Sequence, residues 1–127
     1  MELPKNKFKE ALANGELQIG LWSTLSSNVV AEVIGDSGFD WILLDTEHSP
    51  NEPPNLLSQM QAMATGTATP IIRPAWNDPV LIKRILDIGG HSLLVPFVQN
   101  AEEAKAAVAA MTISSRPSPE EGHAINI

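Results

Sequence analysis

No cysteine occurs in the 127-residue sequence. Its absence removes disulfides, thiolate zinc sites and cysteine nucleophiles together, and fits a reducing compartment. Basic residues are few: eight Lys and Arg stand against fifteen Asp and Glu, a net charge of -7. Binding nucleic acid without sequence preference needs a positive surface to neutralise phosphates, so that class of partner is disfavoured. Long apolar runs are also missing. None approaches the roughly 20 residues needed to cross a bilayer, so no membrane association is expected. The opening Met1-Glu2-Leu3-Pro4-Lys5-Asn6-Lys7 has no apolar segment behind its charges and does not read as a signal peptide. Charged residues make up only 18%, against 43% apolar, which excludes disordered and coiled-coil compositions. The expectation is a soluble, cytoplasmic, mildly acidic globular domain, or part of a larger one.

Short apolar runs alternate with helical patterns along the chain. Phe8, Ala11 and Leu12 share a face in an opening helix that Gly15 ends. Leu17 to Trp22 reads as a first strand, and Trp41-Ile42-Leu43-Leu44 as a second, apolar enough to be covered on both faces. Pro70 to Arg73 and Ser92 to Val95 read as a third and a fourth. Between them lie helical patterns: Val29, Val30, Val33 and Ile34 behind a Ser26 or Ser27 cap, then Leu56, Leu57, Met60 and Met63. Val80, Ile82, Ile85 and Leu86 follow Pro79 at a first helical position, and an alanine-rich helix covers Ala101 to Ala110. The fold class is therefore α/β, four strand-helix units after an N-terminal helix, with a parallel sheet. A doubly wound sheet and part of a (β/α)8 barrel both fit. Length favours the first, since a full barrel takes about 250 residues.

The positions of the unusual residues favour the second. Barrel chemistry collects where strands end. Those places hold Trp22, then Asp45, Glu47 and His48, then Arg73, then Gln99. A histidine titrates near neutrality, and carboxylates beside His48 can hold its tautomer or raise its basicity. In the alternative, Asp45 and Ser49 merely cap the loop and His48 is a surface residue. A guanidinium at the end of an apolar strand, as Arg73 is, must be paired or face a ligand, and its fork suits a carboxylate or enolate oxygen. Its structural alternative is a salt bridge to Asp45. His91 and His123 have no such setting, Asp78 reads as a helix-start residue, and the methionines read as core.

Five linked segments now carry a resemblance: Gln18-Ile19-Gly20-Leu21-Trp22, Gly38-Phe39-Asp40-Trp41, Asp45-Thr46-Glu47-His48-Ser49-Pro50-Asn51, Arg73-Pro74-Ala75-Trp76-Asn77-Asp78-Pro79 and Leu94-Val95-Pro96-Phe97-Val98-Gln99-Asn100. In this order they resemble the 4-hydroxy-2-oxoheptanedioate aldolase family, class II pyruvate aldolases, in register from about Asn6 to Ala110. The resemblance implies a TIM-barrel lyase, usually hexameric, that uses a divalent metal (Mg²⁺, Mn²⁺ or Co²⁺). Such enzymes cleave 4-hydroxy-2-oxo acids reversibly into pyruvate and an aldehyde. It further implies His48 as the base for the 4-hydroxyl proton, Arg73 as stabiliser of charge on the reacting oxygen, and Trp22 with Arg73 in substrate binding. Asp87 corresponds to the carboxylate that raises the basicity of the histidine. Near the C-terminal end of its helix, it points in a barrel toward the opposite face, so another subunit or a different local geometry is required. The family's metal ligands, a Glu and an Asp, fall beyond residue 127, and no residue here inherits them.

The expectation is thus an N-terminal half-barrel over residues 1–110, followed by a non-family tail at 111–127. The family usually continues with Arg-Tyr-Pro-Pro-Gly where this chain has Met111-Thr112-Ile113-Ser114-Ser115-Arg116-Pro117. Codons for that segment, read one base later, can encode a stop followed by Arg-Tyr-Pro-Pro-Gly, which is compatible with a frameshift near codon 111. A half-barrel has open edge strands and lacks its metal ligands, so self-association and weak or absent activity are expected of the chain alone. Two other readings are a non-catalytic remnant that only associates with other subunits, and a signalling receiver domain. A receiver needs acidic residues after its first strand, where Leu21-Trp22-Ser23 supplies none. Sequencing the locus tests the frameshift: the neighbouring frame should encode Arg-Tyr-Pro-Pro, and the idea fails if it cannot.

Overall fold

The computed structural model describes residues 5–112. Helix α1 (Lys7–Ala13) leads into strand β1 (Gly20–Ser23), helix α2 (Asn28–Gly35), strand β2 (Trp41–Asp45) and helix α3 (Pro53–Met63). Strand β3 (Thr69–Arg73), helix α4 (Pro79–Asp87) and helix α5 (Ala101–Thr112) complete the order. The first four helix starts have their chemical cause. Asn6, Ser27 and Asp78 accept backbone N–H bonds at the caps of α1, α2 and α4, while Glu52 and Asn55 bond reciprocally around the start of α3. Pro79 and Pro53 sit where a missing N–H costs nothing.

The sheet is parallel, in the order β1-β2-β3, with Gly20 opposite Trp41 and Asp45 opposite Arg73. Successive strand residues point to opposite faces, and the two faces divide the labour. Ile42, Leu44 and Ile72 pack outward into a core with Ala31, Leu56, Met63, Ala68 and Ile85 from the helices. Trp41, Leu43, Ile71 and Leu93 line the other face together with Phe8 and Leu12 of α1. Phe8 meets Trp41 edge-on at 6.3 Å, and Asn6 donates to the Ser92 hydroxyl at 2.9 Å, tying α1 across the start of the strands. Helix α1 thereby supplies part of the second cover that the apolar β2 requires, and Ile42, Leu43 and Leu44 are all buried.

The fourth strand expected at Ser92 to Val95 is reduced to a single parallel bridge between Ile72 and Leu93. One rung holds it: Ile72 donates to the Ser92 carbonyl and Leu94 to the Ile72 carbonyl, both at 2.9 Å. Pro96 brings no N–H, Phe97 takes a φ of 54°, and nothing among the described residues pairs the far side, so the ladder stops. The first strand is also shorter than expected, starting at Gly20 rather than Leu17. At the other end, α5 runs to Thr112, two residues past Ala110, and residues 113–127 of the expected tail lie outside the described residues.

Two glycines mark close approaches. A Cβ on Gly66 would sit 2.5 Å from the Gly35 carbonyl oxygen, which accepts from both Thr67 and Ala68 and joins the end of α2 to the turn before β3. A Cβ on Gly20 would lie 2.0 Å from the Trp41 ring, which lies over the β1 backbone. Gly20→Ala should therefore lower stability by about 1–3 kcal/mol, as overpacking does. A urea midpoint equal to that of the wild type would show that Trp41 is free to move aside.

Candidate active site

The chemistry-bearing residues gather at the C-terminal ends of the three strands. Asp45 ends β2 and Arg73 ends β3, and parallel register sets them side by side. Arg73 donates from Nε to Asp45 Oδ1 at 2.8 Å and from Nη2 to Asp45 Oδ2 at 2.6 Å, a bidentate pair. Its Nη1 lies 2.8 Å from Glu47 Oε2. Trp22, from β1, donates its indole N–H to Asp45 Oδ2 at 3.3 Å, and its ring lies 4.9 Å from the guanidinium carbon. His48 Nε2 is 3.5 Å from Glu47 Oε1, with the imidazole 71% exposed and the Glu47 side chain only 8%.

The loop after β2 is shaped by Asp45 itself. Its carboxylate also accepts the backbone N–H groups of Glu47 at 2.9 Å and His48 at 3.4 Å. Its carbonyl accepts from the Ser49 hydroxyl and, at 2.8 Å, from the amide of buried Asn51. Gln59 of α3 in turn donates to Asn51 Oδ1 at 2.7 Å, so the loop is braced from below. Thr46 bonds back to the Arg73 carbonyl through both its amide and its hydroxyl.

Burial alone would push the Asp45 carboxyl up. Hydrogen bonds from Arg73, the Glu47 amide, Trp22 and the His48 amide outweigh it and bring the group from 3.8 down to about 2. Arg73 is raised from its ordinary value, chiefly by the bond to Asp45, against burial and with help from the charges of Asp45 and Glu47. The salt bridge that was the structural alternative for Arg73 therefore exists. It does not exhaust the side chain: of five guanidinium N–H groups three are engaged, which leaves one on each Nη for an incoming oxygen.

Trp22, His48 and Arg73 are thus brought to one place, and Asp87 is not. It is the last residue of α4, whose first turn follows the Arg73 loop, so about 12 Å of helix separates it from the site end. Among the described residues its carboxylate has no recorded bond to His48, whose ion partner is Glu47. Gln99 has no recorded bond to the cluster, and its backbone N–H donates to Glu103 Oε2 at 2.7 Å. Asn51 and Gln59 are not among the candidates the sequence offers, and Glu47 is named there only as a strand-end residue beside His48. The Asp-Thr-Glu spacing was the available signal for Glu47, since alternate residues at a strand end share a face.

The sequence profile of the HpcH/HpaI aldolase/citrate lyase family matches residues 18–124. This chain belongs to that family. It is 59% identical over 111 residues to a pyruvate aldolase of Rhizobium etli, covering 87% of this chain and 44% of that protein. It is 55% identical over 105 residues to a 4-hydroxy-2-oxo-heptane-1,7-dioate aldolase of Klebsiella pneumoniae, covering 83% of this chain and 40% of that one. An HpcH/HpaI aldolase/citrate lyase family protein of Burkholderia cenocepacia superposes with a TM-score of 0.83 at 34% identity, over 91% of this chain and 45% of that structure. The chain therefore spans less than half the length of these relatives, and its α/β fold is part of their TIM barrel.

The family's divalent metal finds no centre here. Among the described residues no group of three His, Cys, Asp or Glu side chains is placed to hold an ion. The two carboxylates at the strand ends, Asp45 and Glu47, are turned onto Arg73. These residues alone do not fit a metal site.

The depressed Asp45 group carries a pH signature. Ionised Asp45 stabilises the fold by roughly 2 kcal/mol, an amount fully present above about pH 4 and lost as pH falls through 2. Asp45→Asn should cost roughly 3 kcal/mol at neutral pH, because Arg73 loses its counter-charge. Urea titrations at several pH values should show that gap narrowing from pH 4 downward. A gap independent of pH would remove Asp45 as the titrating partner.

Proposed function

We propose that the protein works as a pyruvate aldolase, cleaving 4-hydroxy-2-oxo acids reversibly into pyruvate and an aldehyde. The observation that carries this reading is the convergence of Trp22, Asp45, Glu47, His48 and Arg73 at adjacent strand ends. Membership of the family and the names of the relatives support it. The substrates would be a small 2-oxo acid and an aldehyde.

In this reading the two spare N–H groups of Arg73 hold the 2-oxo or enolate oxygen, where a fixed guanidinium stabilises charge as it develops. The planar face of Trp22 lies beside that oxygen. His48, on the exposed side of the cluster, takes the proton of the 4-hydroxyl as the carbon-carbon bond opens. Asp87 would serve that histidine only from a second copy of the chain, which fits the homo-oligomer, a hexamer, of the family resemblance. The divalent metal, Mg²⁺, Mn²⁺ or Co²⁺, would need ligands other than the side chains described above. Residues 1–110 form the partial barrel in this account, with 111–127 as an added tail, and the compartment is the cytoplasm.

The test is pyruvate release from a 4-hydroxy-2-oxo acid in the presence of Mn²⁺. In a reconstituted full-length barrel, His48→Ala should reduce turnover on the order of 10²–10⁴-fold while leaving pyruvate binding nearly intact. Arg73→Lys should also be damaging, since an ammonium keeps the charge but loses the fork. Wild-type turnover in the lysine variant would return Arg73 to a purely structural role.

A further inference from the structure

The geometry points to Glu47 as a positioning residue that holds the loop histidine and the strand arginine to one side of the site. The inference rests on the aldolase reading for its catalytic consequence, though not for its structural content. Glu47 is divided between two partners. Oε2 is 2.8 Å from Arg73 Nη1, and Oε1 is 3.5 Å from His48 Nε2. Its own backbone amide is pinned to Asp45 Oδ1 at 2.9 Å, so the side chain leaves the loop from a fixed point. Its carboxylate is 8% exposed, whereas the imidazole it faces is 71% exposed and has no other recorded side-chain partner among the described residues.

Asp45 already satisfies Arg73 through a bidentate pair, so neutralising the guanidinium does not require Glu47. Its other oxygen faces the His48 imidazole. Nε2 faces the carboxylate at 3.5 Å, and a carboxylate can only accept, so hydrogen is favoured on that nitrogen, with Nδ1 as the proton-accepting atom. Glu47 thus orders a side chain on an open loop and selects which nitrogen meets the substrate. Without it, an exposed imidazole samples its rotamers freely, and a misplacement of about 1 Å costs on the order of 10²-fold in rate.

The experiment uses the 127-residue chain, its Glu47→Ala and Glu47→Gln variants, and Glu32→Ala as an exposed-helix control. Amide spectra first verify that each protein is folded, the isosteric glutamine variant serving if the alanine variant is not. Ring relaxation of His48 by NMR should show an ordered imidazole with hydrogen on Nε2 in the wild type and the control. The ring should become mobile in Glu47→Ala, or lose the Nε2–H preference in Glu47→Gln. Equal ring order and equal tautomer in all proteins would overturn the inference, whatever the activity. Where pyruvate release is measurable, kcat should fall about tenfold or more while KM changes by less than about threefold. A change confined to KM, or no change, would overturn the catalytic consequence. An ordered ring in a wild-type chain that releases no pyruvate even when the barrel is completed by its missing half would sink the aldolase reading and leave the positioning role standing.

Discussion

A charged carboxylate buried at the end of the central strand sets the terms for everything around it. Asp45 is 1% exposed, and an uncompensated charge there would cost several kcal/mol. Its oxygens are met by two nitrogens of Arg73, the indole of Trp22 and two backbone amides of the following loop. Each partner satisfies the charge and is itself placed by doing so. One residue therefore aligns β1 with β3, turns the loop that carries Glu47 and His48, and lowers its own affinity for protons.

The same strand that buries Leu43 and Leu44 delivers Asp45 two residues and one residue later. Alternation along β2 sends Leu44 toward the helices and Leu43 toward α1, then returns Asp45 to the face of Trp22 and Arg73. The start of that face is closed by Phe8 against Trp41, and the far end carries the polar cluster. Rigidity at one end makes precision possible at the other. The weakest margin is at Leu93, where a single rung stands in for a strand.

Among the described residues of this aldolase-family segment, Arg73 and His48 lie at one site, and no group of three His, Cys, Asp or Glu side chains is placed to hold an ion. Both strand-end carboxylates are engaged with Arg73, whose charge would oppose a cation at the same spot. Both acidic side chains are taken up by the guanidinium.

Much of this was legible in the chain's own pattern. Apolar runs bounded by helical periodicity located three of the strands, most plainly β2, where Ile42, Leu43 and Leu44 are all buried. Ser27, Asp78 and Pro79 marked helix starts through side-chain chemistry that acts within three residues. The strand-end rule picked out Trp22, His48 and Arg73 for the same local reason. Long-range facts were not legible. Whether Ser92 to Val95 becomes a strand depends on a neighbour, and only one side has one. That Arg73 spends three of its N–H groups on Asp45 and Glu47 depends on the register between β2 and β3, which no local signal encodes. The placement of Asp87 at the far end of α4 follows from how helices run back beside their strands. Periodicity and capping act over a few residues and are written in sequence. Charge pairing across 28 residues exists only once the sheet has brought the two strands together.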